Sequence, residues 1–552
     1  MNRLVTFMLL STALAATLLL PTPASAFQYR HGKEEDMATQ LEHLSSLSLT
    51  RILENLHPPD TLPGTVIASP SRADPDYFYQ WTRDGALVID TLIRVLERQG
   101  QQPTWPMGIN VTAIEAHIWD YVELTATVHQ QHKSLSASPD DPMGLAEPKY
   151  FANTGTPFDG EWGRPQLDGP ALRAAALTRW VNYLHMQYPK QHRPAWIADR
   201  IGRYLYRATM PADTAIKRDL EVAAATIEHH GFDLWEEVHG RHAYTLVAQV
   251  RALVAGAELA RLFNDSRAAE WYDVRARIGA QSIPEFFVPA PSAAAGIAVV
   301  SHRFLCATLN RTGGMDTKVS NVDIASVLAA LHLPSLTSTS GSSEVVANGL
   351  AYFSTTADAM LMTVRVIADQ FKQLYPINQR QRHHRYSGDD KQIEDAIGRY
   401  PEDTFTGGNP WFLATFAIAE QYYSTARDFA RAGSLSISPE TRSYFPSDAV
   451  SDAQDSVKYR TGDPVFRSII VGLINRGDQY SRRCLMHMDR SRGGHMDEQM
   501  DRSTGYMRGA RDLTWSYAAA ITATMARRDA VAELDRIPTS SRSHFPFMRQ
   551  ST

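Results

Sequence analysis

Arg399 to Ala432 reads RYPEDTFTGGNPWFLATFAIAEQYYSTARDFARA, a loop dense in Pro, Gly and aromatics that passes at Pro410 into a long apolar-periodic run. From Pro410 onward, apolar residues recur at i, i+3 and i+4, the period of a helix with one buried face. The stretch thus joins a helix of ordinary length to a loop that has no reason to be so aromatic unless it is folded against something. Outward from it the same period returns in Asp36–Asn55, Asp84–Gln99, Thr112–Gln131, Gly169–Tyr188, Ala212–His230 and Ala243–Phe263. It continues in Ser266–Ile278, Val322–Leu333, Tyr352–Leu374, Ala449–Lys458 and Ala510–Arg527. That makes about twelve helices, with strand-like alternation scarce and no heptad or 34-residue repeat, which predicts an all-α globular domain.

Composition sets the outer limits. The chain has 552 residues, 43% hydrophobic and 21% charged, with a formal net charge of -5. A mildly acidic balance without a basic stripe excludes a nucleic-acid partner. Residues 1–26 read as a secretory signal peptide: Arg3 is the only charge, Leu9 to Leu20 form the apolar segment, and Ala24-Ser25-Ala26 fits a cleavage site. A secreted or periplasmic location follows, and no later run approaches the roughly 18 apolar residues of a membrane helix. The expected domains are this leader, a catalytic domain over 27–530 and a short polar tail over 531–552. Cys306 and Cys484 are the two cysteines; a disulfide and two buried free thiols both remain open.

Long connections lie between the helices: Pro63–Arg83, Ser138–Asp168, Gly231–His242, Gly398–Asn409 and Gly493–Gly509. Long ordered loops in a compact domain usually carry function; Ser335–Ser343, Ser/Thr-rich and featureless, reads as surface. Phosphate-binding, zinc and serine-hydrolase motifs are absent, and the adjacent pairs His229-His230 and His383-His384 point apart on a helix, so no metal or cofactor is expected. What remains are loops combining Trp, Tyr, Arg and carboxylates: DYFYQWTRDG (76–85), GEWGRPQLDGP (160–170), GFDLWEEV (231–238), the loop quoted first, and MDEQMDRSTG (496–505). Aromatic faces cover the C–H faces of a sugar ring, and Arg and Asp take its hydroxyls. Any one such loop can be plain structure; five together point to a carbohydrate pocket.

Cleaving a glycosidic bond takes one protonated and one ionised carboxyl. Trp235 and the neighbouring acids Asp233 and Glu237 would raise the pKa of Glu236 by desolvation and repulsion, as a general acid needs. If the segment begins a helix, only one of Glu236 and Glu237 faces the bond, and the spacing does not say which. Glu498 sits in a polar loop where hydrogen bonding, with Tyr506 and Arg508 close by in sequence, would keep it ionised as a base.

The segments DYFYQWTRD, GEWGRPQLDGPALR, DLWEEV, RYPEDTFTGGNPWF and MDEQMDRSTGYMRGARDLTWSYAA resemble, in order, the signature segments of the glucoamylases, glycoside hydrolase family 15. The resemblance runs from about Ser69 to Thr524. It implies an (α/α)6 barrel, six inner and six outer helices with the pocket formed by loops at one end. It selects Glu236 as the general acid and Glu498 as the general base, and gives Glu237 to substrate binding. Arg83 and Asp84 are implied to hold the innermost sugar, with Tyr77 and Trp81 lining it and Trp162, Arg399 and Trp411 as further pocket positions; Asp233 and Trp235 flank the acid. The implied reaction is inverting hydrolysis that releases β-glucose from the non-reducing ends of α-1,4-glucans such as soluble starch, glycogen and maltooligosaccharides. A monomer is expected. The sequence departs from the family at Leu167, where fungal members have Arg, and between Met315 and Val345. A relative acting on α-1,6 linkages or on trehalose is the rival within the enzyme class, and a non-catalytic glycan-binding protein on the same scaffold is the rival outside it. The polar end after Arg528 leaves no room for an appended starch-binding domain, so soluble glucans rather than granules are expected.

Overall fold

The computed structural model describes residues 36–99, 109–135, 142–189, 191–289, 303–332, 343–383, 393–489 and 493–538. The leader of residues 1–26, all but the last residue of the expected surface loop Ser335–Ser343, and the His383-His384 side chains lie outside them.

Fifteen α-helices run through the described residues: α1 Met37–Glu54, α2 Thr82–Glu97, α3 Val111–Thr127, α4 Asp168–Gln187, α5 Ala195–Arg200, α6 Ala215–Thr226, α7 Ala243–Leu262 and α8 Ser266–Ser282. They continue with α9 Ala325–Leu331, α10 Glu344–Ala351, α11 Asp358–Leu374, α12 Pro376–His383, α13 Phe412–Ala432, α14 Pro464–His487 and α15 Thr514–Arg536. Asp36, Asn110 and Asp265 accept the backbone N–H of Thr39, Ala113 and Ala268, so local chemistry fixes where α1, α3 and α8 begin.

Six of these helices close a ring. α2 packs on α4, α4 on α7, α7 on α9, α9 on α13, α13 on α15, and α15 returns to α2. Outside them α3, α6, α8, α11, α14 and α1 cover α2, α4, α7, α9, α13 and α15 respectively. Outer and inner helices therefore alternate along the chain, which is an (α/α)6 barrel. The apolar pattern follows the position: on α2 every residue from Ala86 to Ile93 is buried, whereas α1 buries one stripe through Leu41, Leu44, Leu49 and Ile52.

Two of the expected helices need correction. Ala449–Lys458 is a string of turns ending in a short strand, Lys458–Arg460. Arg442 donates to the carbonyls of Val450 and Ala453 that a helix would have used, and Ser456 has φ +62. Val322–Leu333 contracts to the seven-residue α9, whose final carbonyls Ala329 O and Ala330 O accept from Arg251. Conversely the 24-residue α14 falls outside the twelve expected segments. Gly472 and Gly477 interrupt its periodicity because they are contact points: a Cβ at Gly477 would lie 2.4 Å from the Tyr423 ring, and one at Gly472 2.5 Å from Ala449 Cβ. Helix α15 also runs on to Arg536, past both the expected helix end at Arg527 and the expected start of the tail.

All six inner helices start at the same end of the barrel. Arg83 and Asp84 lie in the first turn of α2, Asp168 begins α4, His242 precedes α7, Asp323 precedes α9, Trp411 precedes α13 and Trp515 lies in the first turn of α15. Converging helix N-termini favour negative charge at that end, and the carboxylates of the aromatic loops gather there. Among the described residues no helix is long and apolar enough to cross a membrane. Cys306 and Cys484 are both free and buried.

Candidate active site

Gly231–His242 is a hairpin, not the start of a helix. Strand Gly231–Phe232 pairs antiparallel with Val238–His242, which in turn pairs with Thr308–Gly314. Between the strands, Asp233 N donates to Val238 O and Glu236 N to Asp233 O, while Asp233 Oδ1 accepts from the N–H groups of Glu237 and Val238. The turn puts Glu236 at φ +69, a left-handed conformation that a glutamate adopts at a cost of order 1–2 kcal/mol. Its carbonyl rests against Gly163 so closely that a Cβ there would sit 2.5 Å from the oxygen. Glu236 and Glu237 thus leave a tight turn in different directions.

The Glu236 carboxylate enters a wall of neutral donors. Trp81 Nε1 donates to Oε1 at 2.6 Å and Gln166 Nε2 at 3.1 Å; Arg83 stands 3.9 Å away. Burial raises its pKa, against the pull of Arg83 and of the Gln166, Trp162 and Trp81 donors. The direction matches the expectation, but the cause differs. Trp235 does not supply the burial: its N–H donates to both oxygens of Asp323, and its ring packs on Trp411 and Trp515. Nor does Asp233 act as a repelling neighbour, because Lys318 Nζ lies 3.0 Å from it and, although burial opposes, the Lys318 charge and backbone donors bring its pKa down to about 2. Asp233 and Trp235 lie beneath the hairpin and hold it.

Glu236 is half-buried, whereas Glu498, read from the sequence as part of a polar loop, is fully buried. It is 0% exposed, Gln499 Nε2 donates to Oε2 at 3.0 Å, and the backbone is pinned by Glu498 N to Ala510 O at 2.8 Å. Tyr506 is 79% exposed and Arg508 is bound to Asp501, so neither stabilises it. Burial pushes its pKa up to about 7, against Arg399 and the Tyr77 hydroxyl, so the shift runs opposite to the ionised state expected from its polar neighbours in sequence. Tyr77, itself half-buried, feels both carboxylates: Glu498 and Glu236 add to the burial that raises its phenol. The two acids therefore flank one space, with Tyr77 and Trp81 tilted against each other at 5.4 Å along its wall and Trp162 6.0 Å from Trp81.

Around this pair the structure gathers most of the residues expected from the sequence. Arg83 Nη1 donates to Gln166 Oε1 at 2.9 Å and Asp168 Oδ2 at 3.3 Å, with Asp84 beside its Nε at 3.3 Å. Glu237 is held by Arg399 at 2.9 Å and by the Tyr400 hydroxyl at 2.6 Å. Arg399 is fixed in turn by a two-pronged bond to Asp403 and lies 5.2 Å from the ring of Trp235 and 5.3 Å from that of Trp411. Sequence reasoning missed Gln166, Asp168, Lys318, Tyr400 and Asp403. Four of them stand inside the quoted segments, Gln166 and Asp168 in 160–170 and Tyr400 and Asp403 just after Arg399, and their polar side chains beside residues already singled out were the available signal. Lys318 lies in the 315–345 stretch that carries no motif.

With this geometry in view, comparison with known proteins is direct. The model of the Glycosyl hydrolases family 15 matches residues 47–525. The chain is 32% identical to a glucoamylase of Blastobotrys adeninivorans over 488 residues, covering 87% of this chain and 69% of that one. It is 31% identical to glucoamylase GLU1 of Saccharomycopsis fibuligera over 520 residues, 90% of this chain and 91% of that one. The solved family 15 glucoamylase from Hypocrea jecorina superposes with a TM-score of 0.71 at 29% identity, covering 92% of this chain and 74% of that chain. The Saccharomycopsis fibuligera glucoamylase structure gives 0.70 at 27% identity, covering 92% and 99%. By the family match over most of its length, the chain belongs to the glycosyl hydrolases family 15 and is a glycoside hydrolase.

Proposed function

We propose that this chain is an inverting, exo-acting hydrolase that releases β-glucose from the non-reducing ends of α-1,4-glucans. The observation that carries the reading is the pair Glu236 and Glu498: one half-buried under the Trp81 and Gln166 donors, the other fully buried against Gly509, and both acting on the Tyr77 phenol between them. The glucoamylase names of the relatives support the glucan substrate.

In this reading Glu236, whose carboxyl is shifted upward by burial, gives its proton to the glycosidic oxygen as the C1–O bond breaks. Glu498, the base, takes a proton from water as the water oxygen bonds to C1 from the opposite face, so the anomeric configuration inverts. Arg83, Asp84, Glu237 and Arg399 are already fixed by one another, so sugar hydroxyls meet preset partners and little ordering is left for the moment of reaction. Tyr77, Trp81, Trp162 and Trp411 offer aromatic faces to the sugar rings. Residues 1–26 serve export, and the enzyme works as a monomer.

The test is incubation with maltotriose, isomaltose and trehalose while proton NMR follows the anomer first released. Early β-glucose from maltotriose supports the proposal. Release of α-glucose, or preference for isomaltose or trehalose, replaces it with a retaining or a differently linked specificity.

A further inference from the structure

Lys149 is a buried ammonium, 3% exposed, that forms no salt bridge with a carboxylate among the described residues. It stands directly across from Trp81 in the antiparallel pair of strands Tyr79–Trp81 and Lys149–Phe151. Its Nζ is surrounded by rings: 3.7 Å from the centroid of Trp162, 4.0 Å from Phe158, 4.1 Å from Tyr79 and 4.7 Å from Trp81. Those rings also touch one another, Tyr79 on Phe158 at 5.4 Å and Phe158 on Trp162 at 5.4 Å. A cation held in four ring faces draws the rings toward itself through their quadrupoles. Two of the four, Trp81 and Trp162, are the indoles at Glu236, and Trp81 donates to its Oε1.

We propose that Lys149 is a positioning residue for the acid: its caged charge holds Trp81 and Trp162 at Glu236 and stands behind the indole that bonds the carboxyl. The inference rests on Glu236 being the acid of the proposed reaction. The charged groups that act on Lys149 are Glu236, Asp76 and Arg164; Arg164 is bound at 3.1 Å to Glu147. Glu236 is faced by Arg83 at 3.9 Å, by the Tyr77 phenol and, across the Trp81 indole, by Lys149, with Asp84 and Asp168 behind Arg83. Burial brings Lys149 down to about 8, and Glu236 is the leading influence in the other direction, so the two groups sense each other. A positive charge favours the ionised carboxylate. Without it Glu236 would keep its proton to higher pH; with it, the acid titrates lower and the indole donors stay in register.

The experiment titrates Glu236 directly, by carbon NMR of protein labelled at the glutamate side-chain carboxyl, with the resonance assigned by its loss in Glu236→Gln. Wild type is compared with Lys149→Met, Lys149→Gln and Lys149→Arg, and the basic limb of kcat/KM on maltotriose is recorded for each. Removal of the charge in Lys149→Met or Lys149→Gln should raise the Glu236 pKa and the basic limb together by roughly 0.5–1 pH unit. Lys149→Arg should restore both. Two neutral variants serve so that a folding failure in one leaves the other to decide. A Glu236 titration in the neutral variants that coincides with wild type overturns the proposal, even where kcat or thermal stability has fallen, since a merely structural lysine would give that pattern. A wild type that fails to hydrolyse maltotriose would strike the functional reading instead, and the NMR titration would still decide the role of Lys149.

Discussion

Gly509 turns its bare Cα toward the carboxylate of Glu498: a Cβ at that position would sit 2.2 Å from Oε2, and the glycine has φ +77. The same oxygen accepts from Gln499 Nε2 at 3.0 Å, so the glycine and the amide together set the carboxylate. Gly509→Ala has to displace either the loop or the carboxyl, and it adds left-handed strain of order 1–2 kcal/mol. A loss in kcat of about 10- to 100-fold on maltotriose is expected, since small misplacements of a catalytic group are that expensive. Circular dichroism should show the barrel intact; an unchanged kcat would mean that this oxygen is not set by Gly509.

Glu236→Gln and Glu498→Gln each keep size and hydrogen-bonding capacity while removing the proton chemistry. Each should lower kcat by about 10²- to 10⁴-fold. Substrate affinity, read by calorimetry with maltotriose on the inactive variants, should stay close to wild type. Turnover near wild type in either variant would move the acid or the base elsewhere.

Burial of Glu498 has a stability consequence with a definite sign. Its folded pKa, about 7, lies above its ordinary value of 4.5. Between those two pH values the folded protein still holds a proton that the unfolded chain has released, so stability falls as pH rises through the window. Glu498→Gln lacks that loss. Its melting temperature relative to wild type should therefore improve between pH of about 4.5 and about 7.5, by the equivalent of roughly 1–3 kcal/mol. A difference that stays constant with pH would contradict a raised pKa.

Lys318 bridges two buried carboxylates, 3.0 Å from Asp233 and 2.6 Å from Asp323, and so ties the hairpin of Glu236 to the start of α9. Lys318→Met leaves both acids buried without their cation and should destabilise the fold by about 3–5 kcal/mol in denaturant titration. The deficit should shrink toward acid pH, where the orphaned carboxyls can take up protons. A loss below about 1 kcal/mol would place the bridge among contacts of surface strength.

Much of this molecule was legible because its inner helices carry their period openly and its pocket loops are crowded with unusual residues. Helix α13 and the loop before it show both. The sequence was least informative where contact replaces pattern. Helix α14 hides behind Gly472 and Gly477, which look like breakers and are the places where Ala449 and Tyr423 press in. Lys318 lies in a stretch without motif, and its importance comes from Asp233 and Asp323, 85 residues upstream in one case. The cluster Asp233, Glu236 and Glu237 stood out in the sequence, but the surroundings of each carboxyl did not. Trp235 stands next to Glu236 in the chain, yet the indole that bonds it comes from Trp81, 155 residues away. Likewise Glu498 reads as a polar loop residue, and only packing against Gly509 and Ala510 reveals it as fully buried.

The ring of inner helices is closed by its last member, and that sets an order of assembly. α15 meets α1 and α2 across a seam where Asn55 donates to Thr514, and Thr514 to Ile67, spans of 459 and 447 residues. Joining such distant parts carries the full entropy of closing a long loop, so it comes late in folding. During synthesis the hairpin of Glu236 leaves the ribosome long before the loop of Glu498, which emerges just ahead of α15. The barrel and the second carboxyl therefore arrive together, and a chain stopped short of Thr514 would possess an acid but no closed pocket in which to use it.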